Sequence, residues 1–399
     1  MPRVLGTAAA CAATGYMSRV ASASPSRLAG KGRCRGSTAA LAAASALVAT
    51  GEAPRAPVAL GVAVLAAAAA LLGTLGRLER TARGDLAALV AAASRSSATV
   101  LGPAGRSLSV VVPSYNEEAR LPAALDAILA YLERRARAGG FTWEVLVVDD
   151  GSTDGTFGVA AGYAARHGWG QVRVLRQPRN GGKGRAVKAG VLASRGRRVL
   201  MADADGATRF DDLERLERAM AAAEGQAAAE GDAGAPVAVF GSRRGAERAA
   251  ARGALAWGFR ALARAAAGGG GGGVWDTQCG FKLFNRRAAQ VLFGNLRLQG
   301  WAADVELLLL AARTGARVSE VAVEWREVPG SKVHPVATPV AMAGELGLLW
   351  AGYRATGVFR PLGVPRAVPA AGGAGEARRA GERHGRGRGG RGGGPGPGP

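Results

Sequence analysis

The 399-residue chain is poor in the residues that build disulfides or soft-metal sites. It has three cysteines, Cys11, Cys34 and Cys279, and three histidines, His167, His334 and His384. Scattered as they are, they make no disulfide framework and no zinc spacing. A reducing environment is the simpler expectation for the main domain. Aromatic residues are scarce at 5%, and only five of the 52 basic residues are Lys. With Ala and Gly abundant, the Arg excess reads as compositional bias rather than selection for guanidinium chemistry. Acids are missing altogether from residues 1–51, which hold six basic residues and resemble an organelle transit peptide.

The formal charge is +22, of which residues 1–51 and 367–399 together carry +10. The remaining +12 suits phosphate ligands, an anionic membrane or nucleic acid, and does not choose among them. Residues 56–76 run for 21 positions without a charge, between Arg55 and the Arg77, Arg80, Arg83 group. That is the length of a transmembrane helix. A buried helix is the competing reading, and the position ahead of every globular motif argues against it. The denser Arg on the C-terminal side places the following domain in the cytosol.

The chain therefore divides into a basic segment (1–55), a transmembrane helix (56–76), a linker (77–106), a main domain (107–335), a C-terminal helical segment that can lie on a membrane (336–366) and a disordered Gly/Arg/Pro tail (367–399). An RNA-binding role for the tail is a weaker reading than a solvated tail. Residues 221–235 and 268–273 read as low-complexity loops.

Within the main domain, apolar runs suited to buried strands occur at Leu108–Val112, Val145–Val148, Val172–Leu175, Val199–Ala202, Val237–Phe240 and Val318–Val323. Helical periods lie between them, most clearly Leu121, Leu125, Ile128, Leu129 and Leu132. Alternating strands and helices predict an α/β fold with a mainly parallel sheet and helices on both faces. Ligands in such sheets sit at the C-terminal ends of the strands.

The chemistry-bearing residues fall at those ends. Pro113 closes the first strand's ladder, Tyr115 can pack beside a base, and Glu117 can accept from a base edge or a ribose; an ordinary strand-to-helix turn is the plain alternative. The second strand ends in Asp149-Asp150-Gly151-Ser152, a nucleoside-site pattern in which Asp150 can bond uracil or ribose hydroxyls, while Ser152 or Asp154 can cap a helix. Asn180–Arg185 is a Gly-rich turn whose backbone N–H groups can face phosphate, with Lys183 beside them. It lacks the Walker A spacing. In Asp203-Ala204-Asp205, read as extended, both carboxylates point one way and can hold one Mg²⁺ or Mn²⁺ against a diphosphate.

The order of these motifs resembles the family 2 glycosyltransferases, which have the Rossmann-like GT-A fold. More narrowly, MADADGAT (201–208), DTQCGFKLFNRRAA (276–289), WAADVELLLLA (301–311) and VEWREVPGSKV (323–333) resemble the branch that moves glucose from UDP-glucose onto dolichyl phosphate. The mannosyl branch shares the early motifs and departs after Asp205; it is the second reading, and a non-enzymatic RNA- or lipid-binding membrane protein the third. The resemblance implies an inverting glucosyl transfer for N-glycosylation at the endoplasmic reticulum membrane, with no nucleic-acid partner. It implies that Pro113, Tyr115, Glu117 and Asp150 hold uridine, that Asp203 and Asp205 hold the metal, and that Arg243, Arg252 and Lys332 sit near phosphates. Of Asp304 and Glu306, two apart on a helix and so on different faces, Asp304 is placed near the sugar. Relatives carry a basic residue where this chain has Gly300, which puts an acceptor-phosphate contact at that position in doubt.

Overall fold

The structure, a computed structural model, describes residues 56–95, 98–244, 274–330, 337–365 and 398. Arg252, Lys332, residues 1–55, the 268–273 glycines and almost all of the 367–399 tail lie outside the described residues. The chain divides into two units, 1–73 and 74–399.

Helix α1 spans Ala56–Arg95. In the first unit its Val64, Leu65, Leu71 and Leu72 are exposed. No helix among the described residues is long and apolar enough to cross a membrane. In the second unit the helix continues where a linker was expected over 77–106. Leu75, Ala82, Leu86, Leu89 and Ala93 recur at helical spacing and are all buried, so this stretch has an apolar face of its own to pack.

Seven strands form the central sheet: β1 (Arg106–Ser114), β2 (Trp143–Asp149), β3 (Val172–Arg176), β4 (Gly196–Met201), β5 (Val237–Ser242), β6 (Lys282–Asn285) and β7 (Arg317–Ala322). Their order is β3-β2-β1-β4-β6-β5-β7. β1 runs parallel to β2 and β4, β2 to β3, and β5 to β7; β6 is antiparallel to both β4 and β5. Reversal at β6 was not read from the sequence, because this four-residue strand opens on a charged Lys282 and ends on Asn285.

The helices cover both faces. On one lie α2 (Leu121–Arg137), α3 (Thr156–His167) and α5 (Leu213–Ala229); the other holds α4 (Lys183–Leu192), α6 (Arg286–Asn295), α7 (Ala303–Thr314) and the second-unit part of α1. The five residues that marked α2 in the sequence are all in its buried stripe. α5 includes residues 221–229, which had read as loop. The Ala-rich stretch is a strong helix former, and composition alone masked that. After β7, α8 (Ala337–Trp350) is followed by a π-helical turn, Ala351–Ala355.

A buried polar network ties the second face together. Arg297, just before α7, bonds Glu79 of α1 at 2.7 Å and the Tyr353 hydroxyl at 2.9 Å. Glu306 of α7 accepts from the N–H groups of Arg297 and Leu298 and from Tyr353. Burial pushes the Glu306 carboxyl up, against those donors and Arg297. Glu306 thus serves the frame.

Candidate active site

The tips of β1, β2 and β4 that carry the motifs lie together at the C-terminal ends of these parallel strands, in the interior of the sheet order. β1 stays in register with β2 through Pro113 and Ser114, past the point where pairing was expected to end. β4 has already left β1 at Val111, so the missing proline N–H breaks no bond on that side. Asn116 takes a left-handed φ of 54°. Its N–H donates to Ser152 Oγ and its side-chain oxygen accepts from Thr153 N, which locks the β1 turn onto the β2 turn. Tyr115 is half-buried beside it. Glu117 is buried and held by Arg120 through two bonds of 2.6 and 2.7 Å, so its carboxylate is already paired.

Asp150 is buried, and its two oxygens accept from Gly181 N at 2.9 Å and Gly182 N at 2.8 Å. Burial raises its carboxyl pKa, and these two N–H groups offset only part of that rise. Gly151, at φ +70°, has no room for a Cβ against the Arg179 backbone, so only glycine lets the two loops meet. Asp154 accepts from the N–H of Thr156, the first residue of α3, while the N-cap position itself is Gly155 and has no side-chain cap, so neither Ser152 nor Asp154 is the cap residue.

These contacts change the reading of the Gly-rich turn. The N–H groups of Gly181 and Gly182 are taken by Asp150; those of Gly184 and Arg185 go to the carbonyls of Gly300 and Gln299. The expected phosphate cradle of backbone donors is thus occupied from within. Lys183 is what the turn presents. Its ammonium lies 2.7 Å from Asp203 Oδ1 and 5.7 Å from the Trp301 ring centre. Burial works to lower the Lys183 pKa, but Asp203, Asp304 and Asp205 outweigh it and hold the charge. For Asp203, burial works upward and Lys183, Lys282 and Arg243 prevail, leaving the carboxyl below its ordinary range.

Asp203 and Asp205 do not share an extended strand. β4 ends at Met201, and Ala204 and Asp205 form a turn in which Asp205 Oδ1 accepts from Ala207 N at 3.0 Å. Gly280 packs so closely on Asp203 that a Cβ there would overlap the carboxylate. Among the described residues, no three His, Cys, Asp or Glu side chains form a metal-holding group. Two half-exposed carboxylates are nonetheless an oxygen-only donor set of the kind Mg²⁺ and Mn²⁺ take, with the other positions left for phosphate and water.

Arg243 forms a fork with Asp276: Nε to Oδ2 at 2.7 Å and Nη2 to Oδ1 at 2.8 Å. Its guanidinium also lies 5.7 Å from the Trp325 ring centre. Burial opposes its charge, and Asp276 more than compensates. Asp304 is buried, and its Oδ1 accepts from Lys282 Nζ at 2.9 Å. Lys282 is fully buried; its Nζ also donates to Cys279 O and faces the Phe240 ring. The roles of Lys282 and Asp276 went unread in the sequence, although both lie in the DTQCGFK stretch; a lysine opening an apolar strand was the available signal. Close by, the buried Ser242 Oγ and Thr277 Oγ1 have no hydrogen-bond partner among the described residues.

The sequence pattern described as "Glycosyl transferase family 2" matches residues 109–293. The dolichyl-phosphate β-glucosyltransferase of Drosophila melanogaster is 46% identical over 247 residues, 62% of this chain and 75% of that protein. The human protein of the same name is 43% identical over 256 residues, covering 64% and 78%, and the Saccharomyces cerevisiae one 36% identical over 263 residues, covering 63% and 76%. Among solved structures, glucosyl-3-phosphoglycerate synthase from Mycobacterium tuberculosis with UDP is similar at 22% identity and a TM-score of 0.44, covering 62% of this chain and 80% of that one. That distant likeness leaves the chemistry to be read from the chain itself. By the extent of identity to its curated relatives, the chain belongs to glycosyl transferase family 2, the family of the dolichyl-phosphate β-glucosyltransferases that it matches.

Proposed function

We propose that this enzyme transfers glucose from UDP-glucose to dolichyl phosphate, giving dolichyl β-D-glucosyl phosphate and UDP, in the service of N-glycosylation. The observation that carries the reading is the Lys183 ammonium seated 2.7 Å from Asp203 at the end of β4, with Asp304 and Asp205 near enough to reinforce its charge. The names of the 36–46% identical relatives supply the substrates.

An acceptor phosphate oxygen attacks the anomeric carbon, the bond from that carbon to the UDP oxygen breaks, and its electron pair leaves with UDP. The configuration inverts. A phosphate is already ionised near neutral pH, so no strong general base is needed; alignment and charge stabilisation carry the rate. Asp203 and Asp205 would hold Mg²⁺ or Mn²⁺, which supplies charge compensation for the departing diphosphate. Lys183, whose ammonium lies beside Asp203, adds to the compensation of the same charge. Pro113, Tyr115, Glu117 and Asp150 line the uridine end, Asp304 faces the sugar, and Arg243 meets the acceptor phosphate, with Arg252 and Lys332 as further phosphate contacts. The charge-free run 56–76 anchors the enzyme in the endoplasmic reticulum membrane, with the catalytic domain on the cytosolic side, as the flanking Arg pattern supports.

The test is a donor panel. Membranes holding the full chain are given labelled UDP-glucose or GDP-mannose with dolichyl phosphate. Labelled lipid forms from UDP-glucose, disappears with a chelator, and returns with Mg²⁺ or Mn²⁺. Preference for GDP-mannose would overturn the glucose reading, and metal-dependent transfer that survives Asp205→Ala would overturn the role given to Asp205.

A further inference from the structure

Glu345 is the one acid in α8, a helix whose outer side, with Val340, Ala343, Gly347 and Trp350, is exposed and uncharged. Its carboxylate turns instead toward the chain ahead of α7. Ala302 N–H donates to Oε2 at 2.8 Å, and the backbone N–H groups of Gly300 and Trp301 lie close enough to favour the charged form of the same carboxylate. Donors at the start of a helix have no partner within it, so an outside acceptor must satisfy them. Gly300 is what admits this one: a Cβ at that position would overlap the Glu345 carboxylate.

The turn that Glu345 holds is the one that supports Lys183. Gln299 O and Gly300 O accept from Arg185 N at 3.0 Å and Gly184 N at 3.2 Å, and Gly182, at φ +96°, lies against Gln299. Lys183 sits within this double attachment with its ammonium on Asp203. Trp301, in the same turn, faces that ammonium. The preceding residues have their own clamp, since Glu306 takes the N–H groups of Arg297 and Leu298. Loss of Glu345 therefore loosens only the half of the turn that touches Lys183.

We propose that Glu345 is a positioning residue for the diphosphate end of the nucleotide, acting through the Gly300–Ala302 turn to fix Lys183 and Trp301 beside Asp203. This rests on the nucleoside-diphosphate reading given above. In that reading uridine is held at the Asp150 side, which meets the Gly-rich loop through the Gly181 and Gly182 amides rather than the Gly184 and Arg185 amides that this turn accepts from, so the change reaches it least.

The dissociation constants of UDP and of uridine are measured by calorimetry, with metal present, on full-length wild type, Glu345→Ala, Glu345→Gln and Gly300→Ala. Melting curves accompany them. Glu345→Ala weakens UDP about tenfold, the scale of one hydrogen bond to a charged group, and leaves uridine unchanged. Glu345→Gln keeps a carbonyl oxygen for the turn and restores most of the affinity. Gly300→Ala, which displaces the carboxylate from the other side, repeats the pattern of Glu345→Ala. UDP and uridine weakening together, or neither weakening, would overturn the assignment, as would a lowered melting point with both affinities intact. A wild type that binds no UDP removes the nucleotide reading and this inference with it; a wild type that binds UDP as well as its variants do removes the inference alone.

Discussion

Replacing Lys282 by methionine keeps the unbranched stem of the side chain and removes its charged end. Lys282 is fully buried and Asp304, its partner at 2.9 Å, is only 5% exposed, so neither charge is relieved by solvent. Breaking a buried pair from one side costs about 3–5 kcal/mol, because the remaining charge is left uncompensated. At roughly 2 °C per kcal/mol for a large domain, the melting midpoint falls by about 6–10 °C. Asp304→Val strands the ammonium and costs a similar amount. The double variant Lys282→Met with Asp304→Val removes both charges, so it recovers most of the stability and stays inactive in glucosyl transfer. Denaturant titration of the four proteins gives the coupling energy, expected at about 3 kcal/mol or more. Additive single losses would refute the claim that this pair holds β6 to α7. A double variant with full activity would refute the placement of Asp304 at the sugar.

Two further outcomes follow from the same segment. Gly280→Ala forces a Cβ into the Asp203 carboxylate, so metal-dependent transfer drops by more than about tenfold while the melting point moves by only a few degrees; unchanged kinetics would show that Asp203 is free to move. Burial pushes the Cys279 thiol up to about 11 from an ordinary value near 9. Native Cys279 therefore resists alkylation at pH 8, read by mass spectrometry of its peptide, and reacts after unfolding. A raised folded-state pKa means a contribution to stability that is complete below about pH 9 and is lost as pH climbs toward 11, so wild type loses more stability across that window than Cys279→Ala does.

Much of the fold was legible because strands packed between helices are rich in apolar residues, and six of the seven strands contain such a stretch even where a charged residue interrupts it, as in β3 and β7. β6 was not, since Lys282 and Asn285 spend their polarity on buried partners that the sequence does not display. Local patterns also could not say where donors go. The Asn180–Arg185 turn has the composition of a phosphate loop, yet its amides answer Asp150 and the Gln299–Gly300 carbonyls, contacts that span 31 to 116 residues of sequence. The Asp203–Asp205 pair was visible as two carboxylates at a strand tip, but the turn that shapes them depends on Asp205 bonding Ala207, and the crowding of Asp203 by Gly280 comes from 77 residues further along. Asp304 and Glu306 could be told apart by helix geometry as lying on different faces; which face met Lys282 and which met Arg297 needed the packing.

The bond from Arg297 to Glu79 has a practical side for anyone preparing a soluble fragment. The obvious cut, in the stretch between the apolar run and the first strand, would discard Glu79 and the buried Leu75, Leu86 and Leu89, and take from the buried Arg297 guanidinium its nearest carboxylate. A fragment meant to fold should begin at or before Thr74, where the second unit starts. The stretch that reads as a tether is the last wall of the catalytic body.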